Sequence, residues 1–220
     1  MTSEPDTVSL SARTLTLLRA LAPNVGLSPQ EITRFGTDGY VRFLHATHAY
    51  IRTSVPLMVD ARTRFTELNE RHIVDYLAQH IVEETDHDRW TIEDLERHGL
   101  DTDTSAAEMI PEIAAATGAQ YYHVRHGNPW LFFAYVYALE TSPPSSVLIE
   151  HLRDETGLPD SAFRTLRAHQ DLDTGHAADL ADLIDTFSLT PREELAFQEN
   201  ALLSFTQIHV GVRKALAIAA

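Results

Sequence analysis

His169, Asp173 and His176 stand at i, i+4 and i+7 of one stretch. On a helix of 3.6 residues per turn, those three side chains fall within an arc of roughly 60°. Imidazole and carboxylate together suit iron, manganese and zinc. Residues 80–87 repeat the spacing with His80, Glu84 and His87. A chain carrying this pattern twice is constrained to bring two helical faces together around metal. The Cα atoms of His169 and His176 differ by about 10 Å along a helix axis, so one ion cannot easily take both. Each imidazole can serve one of two adjacent ions, with Asp173 between them, in a two-metal site whose ions lie roughly 3.5–4 Å apart.

A third carboxylate comes from the most apolar part of the chain. Residues 130–139 are apolar on every side, the mark of a central helix, and Glu140 closes the run. An acid there is either a solvated cap or a group held by something cationic, because unpaired burial is costly. The sum is Glu84, His87, Glu140, His169, Asp173 and His176. Three carboxylates nearly neutralise two Fe(II) ions and leave positions open for O2, and manganese also fits the ligand softness. Facing helices of a bundle build carboxylate-bridged di-iron centres in this manner. Glu83 competes with Glu84 for the face of His87, and the repeat favours Glu84. His80 is either an extra ligand or a group outside the ligand set.

Composition narrows the classes. The 220 residues contain no cysteine, which excludes disulfides, thiolate metal sites and a thiol nucleophile, and Lys214 is the sole lysine, which disfavours Schiff-base chemistry. A formal charge of -15 argues against nucleic acid or an anionic membrane as partner. No run approaches the ~20 apolar residues of a membrane span, and the acidic start is unlike a signal peptide, so the expected location is cytoplasmic. The apolar fraction of 44% supports a sizeable core.

Periodicity and caps predict an all-α fold of seven to nine helices. Residues 1–8 read as a flexible tail and 9–220 as a single domain. Helices are expected over 11–21, stopped by Pro23, and over a short stretch started by Ser28, Pro29 and Glu31. A long one is expected over 38–59, kinked or ended by Pro56, and a run over 62–77 leads into the first motif. A short helix restarts at Thr91 and closes at Gly99, and Ser105 caps one ending at Gly118. The central run ends at Glu140, and 146–156 is a shorter helix. Asp160 caps a helix through the second motif to Phe187, and the last helix covers 193–217. That helix either makes a homodimer contact or closes the bundle. His45 and His48 are read as ordinary histidines, with His48 the better ligand candidate. Tyr121, Tyr122, Trp130 and Tyr135 are core aromatics or the lining of a pocket.

The stretch from Glu83 to Leu95 with Gly99, together with His126 to Pro129, Leu139-Glu140 and His169-x3-Asp173-x2-His176, resembles the haem-oxygenase-like di-iron oxidases and oxygenases. The resemblance spans roughly residues 40–190. It implies a haem-oxygenase-like bundle of about seven core helices, two iron ions, O2 as co-substrate, an external electron donor and a small-molecule substrate. By residue match it assigns the same six ligands. Several members draw another carboxylate from the first core helix, where this chain offers His45 and His48 and no acid between Val41 and Val59. Reactions in the family include N-oxygenation of amines, oxidative C–C cleavage of amino or fatty acids, and self-sacrificing cofactor synthesis. N-oxygenation of an amine in a biosynthetic pathway is the leading expectation, with C–C cleavage second. A reading from another class is a metal-free thiaminase-like or haem-binding bundle. The first of these often uses a cysteine, which is missing here, and the second needs only a proximal histidine.

Overall fold

The structure is a computed structural model. It describes residues 8–217, with the side chains at all positions but 173 and 174. Most of the expected tail, residues 1–7, lies outside this span. No strand occurs among the described residues, and no helix among them is long and apolar enough to cross a membrane.

Twelve α-helices follow one another in the described residues: α1 (Leu10–Val25), α2 (Pro29–Thr33), α3 (Gly36–Ile51), α4 (Ser54–Glu67), α5 (Arg71–Glu84), α6 (His87–Glu96), α7 (Ser105–Glu108), α8 (Pro111–His126), α9 (Phe132–Glu140), α10 (Ser146–Thr156), α11 (Arg164–Ile184) and α12 (Pro191–Ala217). Short 3-10 turns at Pro129–Leu131 and Asp160–Phe163 lead into α9 and α11. α12 is the spine, packing against α1, α3, α8 and α9, while α4 lies on α5, and α11 on α6 and α9.

Local chemistry explains the ends. Ser28 accepts from the Glu31 amide while Glu31 takes the Ser28 amide, and Pro29 opens α2 as the spacing predicts. Ser145 caps α10, and Gly157 closes it in the left-handed region at φ 66°. α2 and α3 approach so closely at Gly39 that a Cβ there would lie 2.2 Å from the Ile32 carbonyl oxygen.

Breaks account for more helices than the seven to nine expected. The predicted helix over 38–59 is two helices, parted at Arg52 and Thr53. Pro56 cannot donate to Arg52 and its ring crowds that carbonyl, so the chain breaks upstream and Pro56 enters the first turn of α4, where no amide is needed. The run over 62–77 is interrupted at Asn69, φ 62°. The first motif does not ride on one helix: Thr85 is extended and Asp86 left-handed at φ 70°, so Glu84 ends α5 and His87 starts α6. Asn and Asp are the non-glycine residues that tolerate this region. Thr91 therefore lies inside α6. Ile110 before Pro111 is extended, which separates α7 from α8, and Gly118 lies within α8. Pro23 falls in the last turn of α1 and does not stop it. Asp160 belongs to a 3-10 turn, and α11 begins at Arg164 and ends at Ile184.

Two apolar clusters form the interior. One gathers Phe65, Leu77, Phe133, Leu180 and Phe197. The other gathers Tyr40, Leu44, Leu95, Ile149, Phe163 and Ile208. Residues 132–138 of α9 are all buried, as an all-round apolar helix requires. Leu139 packs against both clusters, so Glu140 emerges where they meet.

Candidate metal centre

α5, α6, α9 and α11 bring their ligand-type side chains together at that junction. Two groups form. His80, Glu84, Glu140 and His176 offer atoms all within 4.8 Å of one another, and so do Glu84, His87 and His169. Glu84 belongs to both. Five of the six predicted ligands are thus gathered. The sixth, Asp173, sits on α11, and its side chain lies outside the described residues.

In the first group the His80 Nε2 is 3.5 Å from Glu140 Oε1, and the His176 Nδ1 is 3.4 Å from Glu140 Oε2 and 3.5 Å from Glu84 Oε1. These are longer than good hydrogen bonds. Two ligands each ~2.1 Å from one ion lie ~3.0–3.4 Å apart, close to what is seen. Glu140 Oε2 and His176 Nδ1 are buried without a hydrogen-bond partner. Buried polar atoms are rarely left so, and a cation would satisfy both. The donor set fits iron. His80, which the sequence left open, is buried in this group; its signal was its place four residues before Glu84. Glu83 lies outside, 3.7 Å from the His80 Nδ1 and 3.6 Å from the His176 Nε2.

In the second group the His87 Nδ1 is 3.1 Å from Glu84 Oε2, and the rings of His87 and His169 are 5.2 Å apart. His169 donates from Nδ1 to the Thr165 carbonyl at 2.8 Å, which leaves Nε2 as the ligating nitrogen. Burial holds the His169 pKa below its usual value, which keeps the ring neutral as ligation requires. Trp90 packs against His87 with 4.0 Å between centroids, the rings tilted by 35°. A buried clamp sets the spacing: Asp94 Oδ2 of α6 accepts from the Thr165 amide at 2.8 Å and from its hydroxyl at 2.7 Å. Asp94 thereby joins the helix that carries His87 to the one that carries His169. Thr165→Val removes one hydrogen bond to a buried carboxylate. It is expected to lower unfolding stability by about 1.5–3 kcal/mol, read by urea denaturation.

The His176 pKa is pushed up to about 9, chiefly by Glu140 and further by Glu84 and Glu83, against the opposing effect of burial. In metal-free protein a proton thus occupies the ring. The folded value lies above the unfolded one of about 6.5. The stabilisation is therefore full below about pH 6.5 and is lost as pH rises through about 9. Thermal melts of chelator-treated protein are expected to fall across that window, and His176→Gln is expected to flatten the fall.

Two candidates lie elsewhere. His48 donates from Nδ1 to the Asp88 carbonyl at 3.0 Å, and His45 donates to the Asp101 carbonyl at 2.8 Å, so each helps tie a neighbouring segment to α3. A cavity of about 650 Å³ opens beside the centre and includes Glu84, Glu140 and His169 in its lining. Tyr121, Tyr122, Trp130 and Tyr135 do not line it. Trp130 packs edge-on to Phe65 and Phe187, Tyr121 lies under Arg125, and Tyr122 is exposed. Tyr135 borders only a void of about 30 Å³ on another side of Glu84 and Glu140.

Residues 41–205 match the profile of a family described as "iron-containing redox enzyme". The chain belongs to that family. Among solved structures, a domain of unknown function with a haem oxygenase-like fold from Shewanella denitrificans OS217 is similar at 16% identity and TM-score 0.70, covering 94% of this chain and 89% of the other. A TenA homologue from Pyrococcus furiosus is similar at 8% identity and TM-score 0.73, covering 94% and 99%. A CADD-like protein of unknown function from Nostoc punctiforme PCC 73102 is similar at 15% identity and TM-score 0.69, covering 94% and 97%. At these identities the likeness shows the fold, which is the all-α haem-oxygenase-like one. No curated protein sequence matches the chain. The family's iron agrees with a site of imidazoles and carboxylates free of thiolate.

Proposed function

We propose that this iron-containing redox enzyme is a di-iron, O2-dependent oxygenase acting on a small metabolite, with N-oxygenation of an amine as its reaction. The observation that carries the reading is that Glu84 belongs to both ligand groups. A carboxylate with two oxygens can bridge two ions, and no other gathered side chain is common to the groups. His87 and His169 would complete one ion's set, and His80, Glu140 and His176 the other's. Bound iron would supply the electrons and open coordination positions for O2 chemistry.

The remaining roles belong to the protein. The 650 Å³ cavity is large enough for a metabolite-sized molecule and delivers it to the face of Glu84, Glu140 and His169. Trp90 covers His87, and Glu140 Oε2 is buried without a hydrogen-bond partner. Electrons for repeated turnover would come from an external donor.

The reading is tested by anaerobic Fe(II) titration followed by an O2 pulse. Two irons per chain, with O2 consumed only when an amine substrate pool is present, support it. Uptake of one iron or none, with a haem absorption band in its place, sinks it.

A further inference from the structure

The cavity beside the metal centre has no lysine or arginine among its described lining residues. Three of its hydroxyls have already committed their protons: Thr47 to the Phe43 carbonyl, Thr141 to the Tyr137 carbonyl and Thr165 to Asp94. Apart from His169, one further imidazole lines the space. His209 of α12 donates from Nδ1 to the Phe205 carbonyl at 2.8 Å. A carbonyl can only accept, so this bond fixes the tautomer and makes Nε2 an acceptor. The ring packs against Phe205 with 4.1 Å between centroids, tilted by 36°, and is flanked along α12 by Ile208 and Val212. One turn on, Arg213 donates to the Val25 and Gly26 carbonyls and pairs with Glu31. That anchorage sets His209 against the wall made by the end of α1 and the start of α2, whereas Glu84, Glu140 and His169 enter from α5, α9 and α11. Burial lowers the His209 pKa, in keeping with a neutral ring.

A carboxylate set against His209 would meet an acceptor, in a cavity whose described lining holds no lysine or arginine, which is costly. A group with an N–H or O–H would find an acceptor there. We propose that the ligand of this cavity is a largely apolar molecule carrying an N–H or O–H group that Nε2 of His209 receives. This rests on the oxygenase reading only in taking the cavity as the substrate's place.

The test is calorimetric titration of the full chain with two decyl probes, 1-decanol and decyl methyl ether. The wild type is expected to bind decanol about 3–10-fold more tightly than the ether, the value of one hydrogen bond. His209→Phe is expected to bring decanol down to the ether's affinity and leave the ether unchanged. His209→Gln, which keeps an acceptor, is expected to retain part of the preference. A preference for decanol that survives His209→Phe, or no binding of either probe, overturns the proposal. Iron is counted on the same preparations. Two irons with no preference for decanol overturn this inference alone, and the preference without iron uptake overturns the oxygenase reading alone.

Discussion

Glu84→Gln is expected to abolish iron binding at both positions. The carboxylate lies in each ligand group, 3.5 Å from the His176 Nδ1 through one oxygen and 3.1 Å from the His87 Nδ1 through the other. The amide keeps the shape but loses the charge and one acceptor, so the two ion positions would no longer share a carboxylate. Altering a partner outside the ligand set typically lowers metal affinity by about 10–100-fold, and loss of a shared ligand is expected to exceed that. Competition against a coloured chelator reads the change. Glu83→Gln is the control: Glu83 is half-exposed and stands outside both groups, so the stoichiometry should stay at the wild-type value. The reverse result would make Glu83 the bridging acid and invalidate the arrangement proposed here.

Phe133→Ala is expected to destabilise the fold strongly. The ring is fully buried and touches Phe65, Tyr76, Phe132 and Phe187. Removing it costs about 3–5 kcal/mol, a large share of the 5–15 kcal/mol that holds a typical domain folded. At about 2–4 °C per kcal/mol for a chain of this size, the melting point should fall by about 6–20 °C. The effect should also reach the centre. Tyr76 stacks on His80 with 5.5 Å between centroids and leans on Phe133, so the cavity left behind frees the ring that orients a ligand. A fall of less than about 2 °C would mean that the neighbours collapse into the space, and the coupling to His80 would go with it.

The fold class was legible because helical periodicity, the capping box at Ser28 and the all-round apolar run before Glu140 are local signals. The gathering of His169 and His176 was legible for the same reason, since an unbroken α11 keeps both on one face. The first motif was harder to read. Its spacing suggested one helix, but Thr85 and Asp86 turn the chain between Glu84 and His87, and nothing in the spacing announces a left-handed aspartate. His80 stayed ambiguous because a ligand and a neighbour of ligands share the same stripe. Only the approach of α9, which puts Glu140 3.5 Å from it, brings it into a ligand-type group. The Asp94–Thr165 clamp and the acceptor character of His209 were invisible, since both depend on contacts between helices distant in sequence or on a ring tautomer.

The left-handed Asp86 has a mechanical result. Glu84 and His87 are three residues apart, yet they pivot on separate axes, because the joint between α5 and α6 lies between them. A small roll of α6 would alter the bite of this pair on an ion while α5 stays still. Asp94, bolted to α11, limits that roll from the far end. Tuning of the iron chemistry can therefore proceed by changes at the joint or at the bolt, with every ligand left in place.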